Sequence, residues 1–107
     1  MKDFKRELLN EDNFLLFIYT PLCGTCNLAR SMLYKIEMAH DQQLFYQMNA
    51  SFYPEVMQQL KITSVPCLLI QTNGEIKEKI YAFHSVPNIY YYLLKHCPDL
   101  LKMNDQK

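Results

Sequence analysis

The stretch Tyr19-Thr-Pro-Leu-Cys23-Gly-Thr-Cys26-Asn-Leu-Ala29 sets two cysteines two residues apart, where an apolar run stops and a helical pattern starts. Such a pair suits three chemistries: a redox couple, half of a metal site, or two neighbouring core thiols. The elements on either side narrow the choice. Upstream, Phe14 to Tyr19 is an unbroken apolar and aromatic run ended by Pro21, the pattern of a strand buried on both faces. Downstream of Gly24, the residues Leu28, Ala29, Met32, Leu33, Ile36 and Ala39 recur at three- and four-residue steps, which predicts an amphipathic helix. The cysteines therefore mark a strand-to-helix junction.

Position at a helix start gives the two sulfurs different chemistry. A thiolate, not a thiol, attacks a disulfide, so a redox cysteine needs a setting that stabilises negative charge. Cys23 is expected beside the unpaired N–H groups and the positive dipole end of the helix, which should draw its pKa from roughly 8.5 toward neutrality. Cys26, one turn further in, is expected to be more buried and less acidic. The result is an exposed nucleophile and a protected resolving thiol.

A structural zinc site needs four ligands, and only one C-x-x-C pair is present. His40, His84 and His96 are scattered without ligand-like spacing. No metal site is therefore predicted.

Composition bounds the rest. The 107 residues suit one domain with one core, and residues 1–107 are read as a single unit without repeats or linkers. Lys+Arg and Asp+Glu both number 11, so no net charge draws the chain to nucleic acid or anionic membrane. The run Phe14 to Tyr19 is far too short for a membrane span, and Glu11 and Asp12 precede it where a signal peptide would carry positive charge. A soluble, cytoplasmic monomer is the expectation, with four cysteines reduced, catalytic or metal-binding rather than framing the fold. In that setting the Asn49-Ala50-Ser51 glycosylation pattern carries no meaning.

Along the chain, Phe4, Leu8 and Leu9 predict a docking helix over Lys2 to Asn10, and Leu44 to Met48 a second strand. Pro54 opens a short helix, Glu55 to Leu60. Val65-Pro66 interrupts the pattern before an apolar strand, Cys67 to Gln71. Asn73-Gly74 predicts a hairpin into Ile76 to Ala82. A last helix runs from Ser85 and Pro87 to about His96, where Cys97-Pro98 stops it. The consecutive Tyr90, Tyr91 and Tyr92 point in three helical directions without a basic stripe, so one or two rings are expected to pack on the sheet. Strands separated by helices pair in parallel through right-handed crossovers, and the hairpin adds an antiparallel edge. The predicted class is α/β, a small mixed sheet flanked by helices on both faces.

Taken in order, Cys23-Gly24-Thr25-Cys26 after a buried strand, Ile62-Thr63-Ser64-Val65-Pro66, Leu68-Leu69-Ile70 and Asn73-Gly74-Glu75 resemble the thioredoxin family. The resemblance implies the thioredoxin fold and a thiol–disulfide oxidoreductase with Cys23 as nucleophile and Cys26 as resolving thiol. Gly24 and Thr25 support the motif. It further implies a cis bond before Pro66, with Val65 and Pro66 facing the redox pair and binding an extended substrate segment. The implied partners are a disulfide-bearing protein or small-thiol substrate and an external reductase or thiol pool as electron donor, with no bound cofactor, nucleic acid or membrane.

Departures from the family pattern are equally specific. Leu22 stands where thioredoxins carry tryptophan, Phe17 where they bury a carboxylate, and Phe45 near the place of its lysine partner. Thr25 replaces proline, and two readings stand: its N–H and hydroxyl stabilise the reduced form of Cys23, or it is a tolerated spacer. Cys67 follows Pro66 directly, so a three-sulfur cluster with a regulatory or metal-binding role stands beside the reading of Cys67 as a buried strand residue. The alternative function is a non-catalytic redox-sensing or metal-binding module built on Cys23, Cys26 and Cys67. Cys97 is read as incidental.

Overall fold

A computed structural model describes residues 1–101. In chain order it contains β1 (Lys2–Asp3), a 3-10 helix (Arg6–Asn10), β2 (Phe14–Tyr19), α1 (Gly24–His40), β3 (Tyr46–Asn49), a 3-10 turn (Ala50–Phe52), α2 (Pro54–Gln59), β4 (Cys67–Thr72), β5 (Glu75–Ile80), α3 (Val86–His96) and α4 (Pro98–Leu101). The five strands form one sheet in the order β1-β3-β2-β4-β5. β1 and β2 flank β3 in parallel, while β4 runs antiparallel to both β2 and β5.

Strand alternation divides the apolar side chains of β2 and β4 between two cores. Leu15, Phe17, Leu68 and Ile70 face one way and pack with Ala29, Leu33 and Ile36 of α1 and Ile89 and Leu93 of α3. Leu16, Ile18, Cys67 and Leu69 face the other way, against Leu8, Val56, Leu60 and Ile62. Both faces of β2 are buried, as its uninterrupted apolar sequence predicts.

Three expectations need correction. The predicted opening helix is instead a two-residue strand followed by the 3-10 helix. The amides of Lys2 and Phe4 donate to the carbonyls of Phe45 and Gln47 at 2.9 Å, covering the outer edge of β3. Phe4 and Leu8 remain buried, so the apolar signal was right about burial and wrong about period. On α1 the buried face comprises Cys26, Ala29, Leu33, Ile36 and Glu37, whereas Leu28 is 59% exposed and Ala39 is also exposed. Beyond Cys97 the chain turns at once into α4, which Pro98 opens.

The hairpin forms as predicted. Asn73 and Gly74 both have positive φ, 55° and 78°, the backbone that a two-residue turn between twisted strands requires. At α3, Ser85 caps the first turn by accepting from the Asn88 amide at 3.1 Å. Tyr90 and Tyr92 are half-buried against the first core and Tyr91 points to solvent, as expected for three successive helical residues.

Candidate functional site

β2 carries the chain to the end of the sheet, Thr20 to Leu22 turn it over the top, and Cys23 becomes the N-cap of α1. The Cys23 sulfur takes the place that a serine or aspartate oxygen occupies in an ordinary cap, accepting from the Cys26 amide at 3.1 Å. The Thr25 hydroxyl lies 3.4 Å from the same sulfur. Two donors and the positive helix end thus converge where negative charge forms when the pair is reduced.

Cys23 and Cys26 are joined as a disulfide, with Cα atoms 5.1 Å apart. The two are asymmetric, as their spacing predicts. Cys23 is half-buried, Cys26 has 0% exposure inside the first core, and Leu22 before them is 100% exposed. A Cβ added to Gly24 would meet nothing within 4 Å, so the motif opens directly onto solvent.

The Val65-Pro66 bond is cis. β4 pairs with β2 up to Cys67 opposite Ile18, so Val65 and Pro66 lie just past the ladder, at the end of the sheet from which Tyr19 leads to Cys23. Pro66 is buried, and Val65 is half-buried where the two cores meet.

Cys67 is not brought to the pair. Alternation along β4 turns its side chain into the second core with Ile18 and Leu69, whereas Cys26 belongs to the first. Among the described residues, no group of three or more His, Cys, Asp or Glu side chains is placed to hold a metal ion. The three-sulfur cluster considered from sequence is therefore not formed. Desolvation pushes the Cys67 thiol up to about 12, against smaller opposing effects of Lys79 and Tyr81, and burial likewise raises Cys97 to about 11. The thiolate of Cys67 is lost below that range, so a thiol reagent at pH 8 should leave Cys67 of the folded, oxidised protein untouched and label it after denaturation. Mass spectrometry of labelled peptides reads this directly, and fast native labelling of Cys67 would contradict its burial.

Two of the three histidines are occupied apart from the site: His40 Nε2 is 3.0 Å from the Tyr90 hydroxyl, and His96 Nε2 is 3.0 Å from Glu78. Beneath the pair, Phe17 is fully buried, stacked on Tyr19 with ring centroids 5.9 Å apart and meeting Phe83 edge-on at 6.1 Å. Arg30, which the sequence reading passed over, lies with its guanidinium 4.3 Å from the Tyr19 ring centroid and 5.3 Å from that of Phe17. Its position four residues after Cys26 was the available signal, since residues at that spacing share a helix face.

The thioredoxin family model matches residues 1–93. The chain belongs to the thioredoxin family. It is 38% identical over 90 residues to the thioredoxin-like protein YusE of Bacillus subtilis, covering 84% of this chain and 85% of that protein. It is also 28% identical over 75 residues to thioredoxin AMT13 of Alternaria alternata, covering 69% of this chain and 64% of that one. Among solved structures, oxidised mitochondrial thioredoxin 3 of Saccharomyces cerevisiae superposes with a TM-score of 0.72 at 17% identity, over 89% of this chain and 94% of that one. A thioredoxin of Nicotiana alata gives 0.74 at 14% identity, over 89% and 90%. These two establish the fold. Family membership and the Cys23–Cys26 disulfide together support a thiol–disulfide oxidoreductase role for this thioredoxin-family protein.

Proposed function

We propose that this thioredoxin-family protein exchanges disulfides through Cys23 and Cys26 with protein or low-molecular-weight substrates. The observation that carries the reading is the asymmetric disulfide: a half-buried sulfur at a helix N-cap, bonded to a fully buried one a turn below. In the reduced protein the Cys23 thiolate attacks one sulfur of the substrate disulfide, forming a mixed disulfide and releasing the first substrate thiolate. Cys26 then loses its proton and attacks Cys23, which expels the second substrate thiolate and leaves the Cys23–Cys26 bond. Two electrons pass to the substrate, and an external reductase or thiol pool returns them.

Val65 and Pro66 serve as the substrate rest. The Val65 backbone lies outside the β4 ladder and makes no hydrogen bond with another described residue, so it is free to pair with an extended segment as an added strand does. Gly24 and Thr25 shape the motif, the first by leaving the approach open and the second by its hydroxyl beside Cys23.

The direct test is Cys26→Ser. Without the resolving thiol, the mixed disulfide between Cys23 and a small disulfide such as oxidised glutathione should accumulate to near one per chain. Intact-mass measurement should show the adduct in the variant and little in the wild type. No adduct on Cys23 would reject the exchange mechanism.

A further inference from the structure

The resolving step asks Cys26, a fully buried thiol, to become an anion. Burial in apolar surroundings opposes this, because desolvation disfavours the charged form. A nearby carboxylate base would provide one solution, but the β2 residues in or against the same core are Leu15, Phe17 and Tyr19. Among the apolar and aromatic residues that form or flank that core, those that ionise besides Cys26 are Cys23, Tyr19, Tyr90, Tyr92 and Cys97. Of the charged and polar groups, Arg30 lies on Phe17 and Tyr19, His40 meets Tyr90, and Glu37 stands about three turns further along α1 than Cys26. Glu37 is committed to backbone amides at the other end of that helix.

Arg30 is a cation of α1 placed four residues after Cys26, a spacing that puts the two on one helix face. Helical side chains lean toward the N-terminus, so Arg30 reaches back along α1 in the direction of Cys26. Its guanidinium rests on Tyr19 and Phe17. Its Nη1 donates to Gln47 Oε1, and Gln47 Nε2 donates in turn to Asp3 at 3.2 Å. Gln47 is the register partner of Phe17 on β3 and of Asp3 on β1, so the chain of contacts runs straight across the sheet. The acid closest to Arg30 in this network is thus one residue removed, and no ion pair within 4.0 Å of Arg30 occurs among the described residues. Its charge is left largely uncompensated in a half-buried setting, where screening by salt and water is reduced.

We propose that Arg30 is the positioning residue of the resolving step, its charge held on the Tyr19–Phe17 aromatic pair and tethered by Gln47 so that it stabilises the Cys26 thiolate. This rests on the exchange reading above. Guanidinium stays protonated throughout and takes no proton from Cys26. In the mixed disulfide the Cys26 proton leaves to water, the thiolate forms the bond to Cys23 Sγ, and the departing substrate sulfur carries the electron pair away and is reprotonated by solvent. Arg30 thereby substitutes an electrostatic contribution for a proton acceptor.

The test is a pH titration of the Cys26 13Cβ resonance in the reduced full chain, without substrate, for wild type, Arg30→Gln, Arg30→Met and Arg30→Lys. Methionine keeps an unbranched stem over Tyr19 while removing the charge and the hydrogen bond to Gln47, so it serves if the glutamine variant does not fold. The charge-free variants should hold about fivefold less Cys26 thiolate at pH 8. Lysine should recover at least half of the difference, which a merely structural contact would not require. Coincident midpoints in all four proteins, or a lysine variant that titrates like the charge-free ones, would overturn the proposal. Because no turnover is involved, a wild type that fails to reduce disulfides would reject the exchange mechanism and leave this measurement independent.

Discussion

Replacing Cys23 with serine should lower disulfide reduction at least about 100-fold, because the reacting species is a thiolate and a serine hydroxyl is not ionised near neutral pH. The structure makes this loss specific to position 23. Cys23 is the more exposed sulfur of the pair, it receives the Cys26 amide at 3.1 Å, and the Thr25 hydroxyl stands 3.4 Å away. Cys67 cannot substitute for it, since it is buried in the core on the opposite face of the sheet. Reduction of insulin disulfides with dithiothreitol as donor compares wild type and Cys23→Ser under identical conditions. Equal rates would reject the catalytic reading and favour the non-catalytic module.

Glu37→Ala should destabilise the fold by about 2–4 kcal/mol, from loss of charge-assisted hydrogen bonds and exposure of orphaned backbone donors. Glu37 is only 6% exposed, yet its Oε2 accepts from the Leu44 and Phe45 amides at 2.8 and 3.0 Å, and its Oε1 from the Met1 ammonium at 3.3 Å. These bonds tie the end of α1 to the entrance of β3, across a turn where Asp41 adopts the left-handed backbone at φ 52°. Alanine would leave the two amides without acceptors, one buried and one partly buried. Glu37→Gln keeps a carbonyl oxygen and should lose less. Urea denaturation of the three proteins measures both differences, and a loss under about 1 kcal/mol for alanine would contradict the inferred role of this carboxylate.

Glu37 also shows where pattern reading fails. Helical periodicity marks Leu28 and Ala39 as core residues, but both are exposed and Glu37 is buried in the neighbourhood of Ile36. A carboxylate enters a core when backbone amides of another segment are there to receive it, and those amides come from Leu44 and Phe45. Spacing along one helix contains no information about them. The opening segment fails similarly. Phe4 and Leu8 satisfy a helical period, while the open edge of β3 draws Lys2 and Asp3 into the sheet instead.

By contrast, the features governed by local chemistry were legible. The apolar run of β2, the Asn73-Gly74 turn, the helix start near Ser85 and Pro87 and the cysteine pair at the start of α1 each state their geometry within a few residues, because backbone preference and short-range hydrogen bonding decide them. Together with the motif order along the chain, they were enough to identify the family.

What the amino-acid sequence determined by itself was therefore the strand-to-helix junction at Cys23, the asymmetry of Cys23 and Cys26, and the mixed sheet that presents them. Only the tertiary structure decided which sulfurs and charges share a space. It sent Cys67 to the far face of the sheet and set Arg30 across Tyr19 and Phe17 with Gln47 at its end. The reason is the two-residue period of strands packed under a helix: a shift of one position along β4 moves a side chain from one core to the other, and residues distant in sequence meet only through strand register.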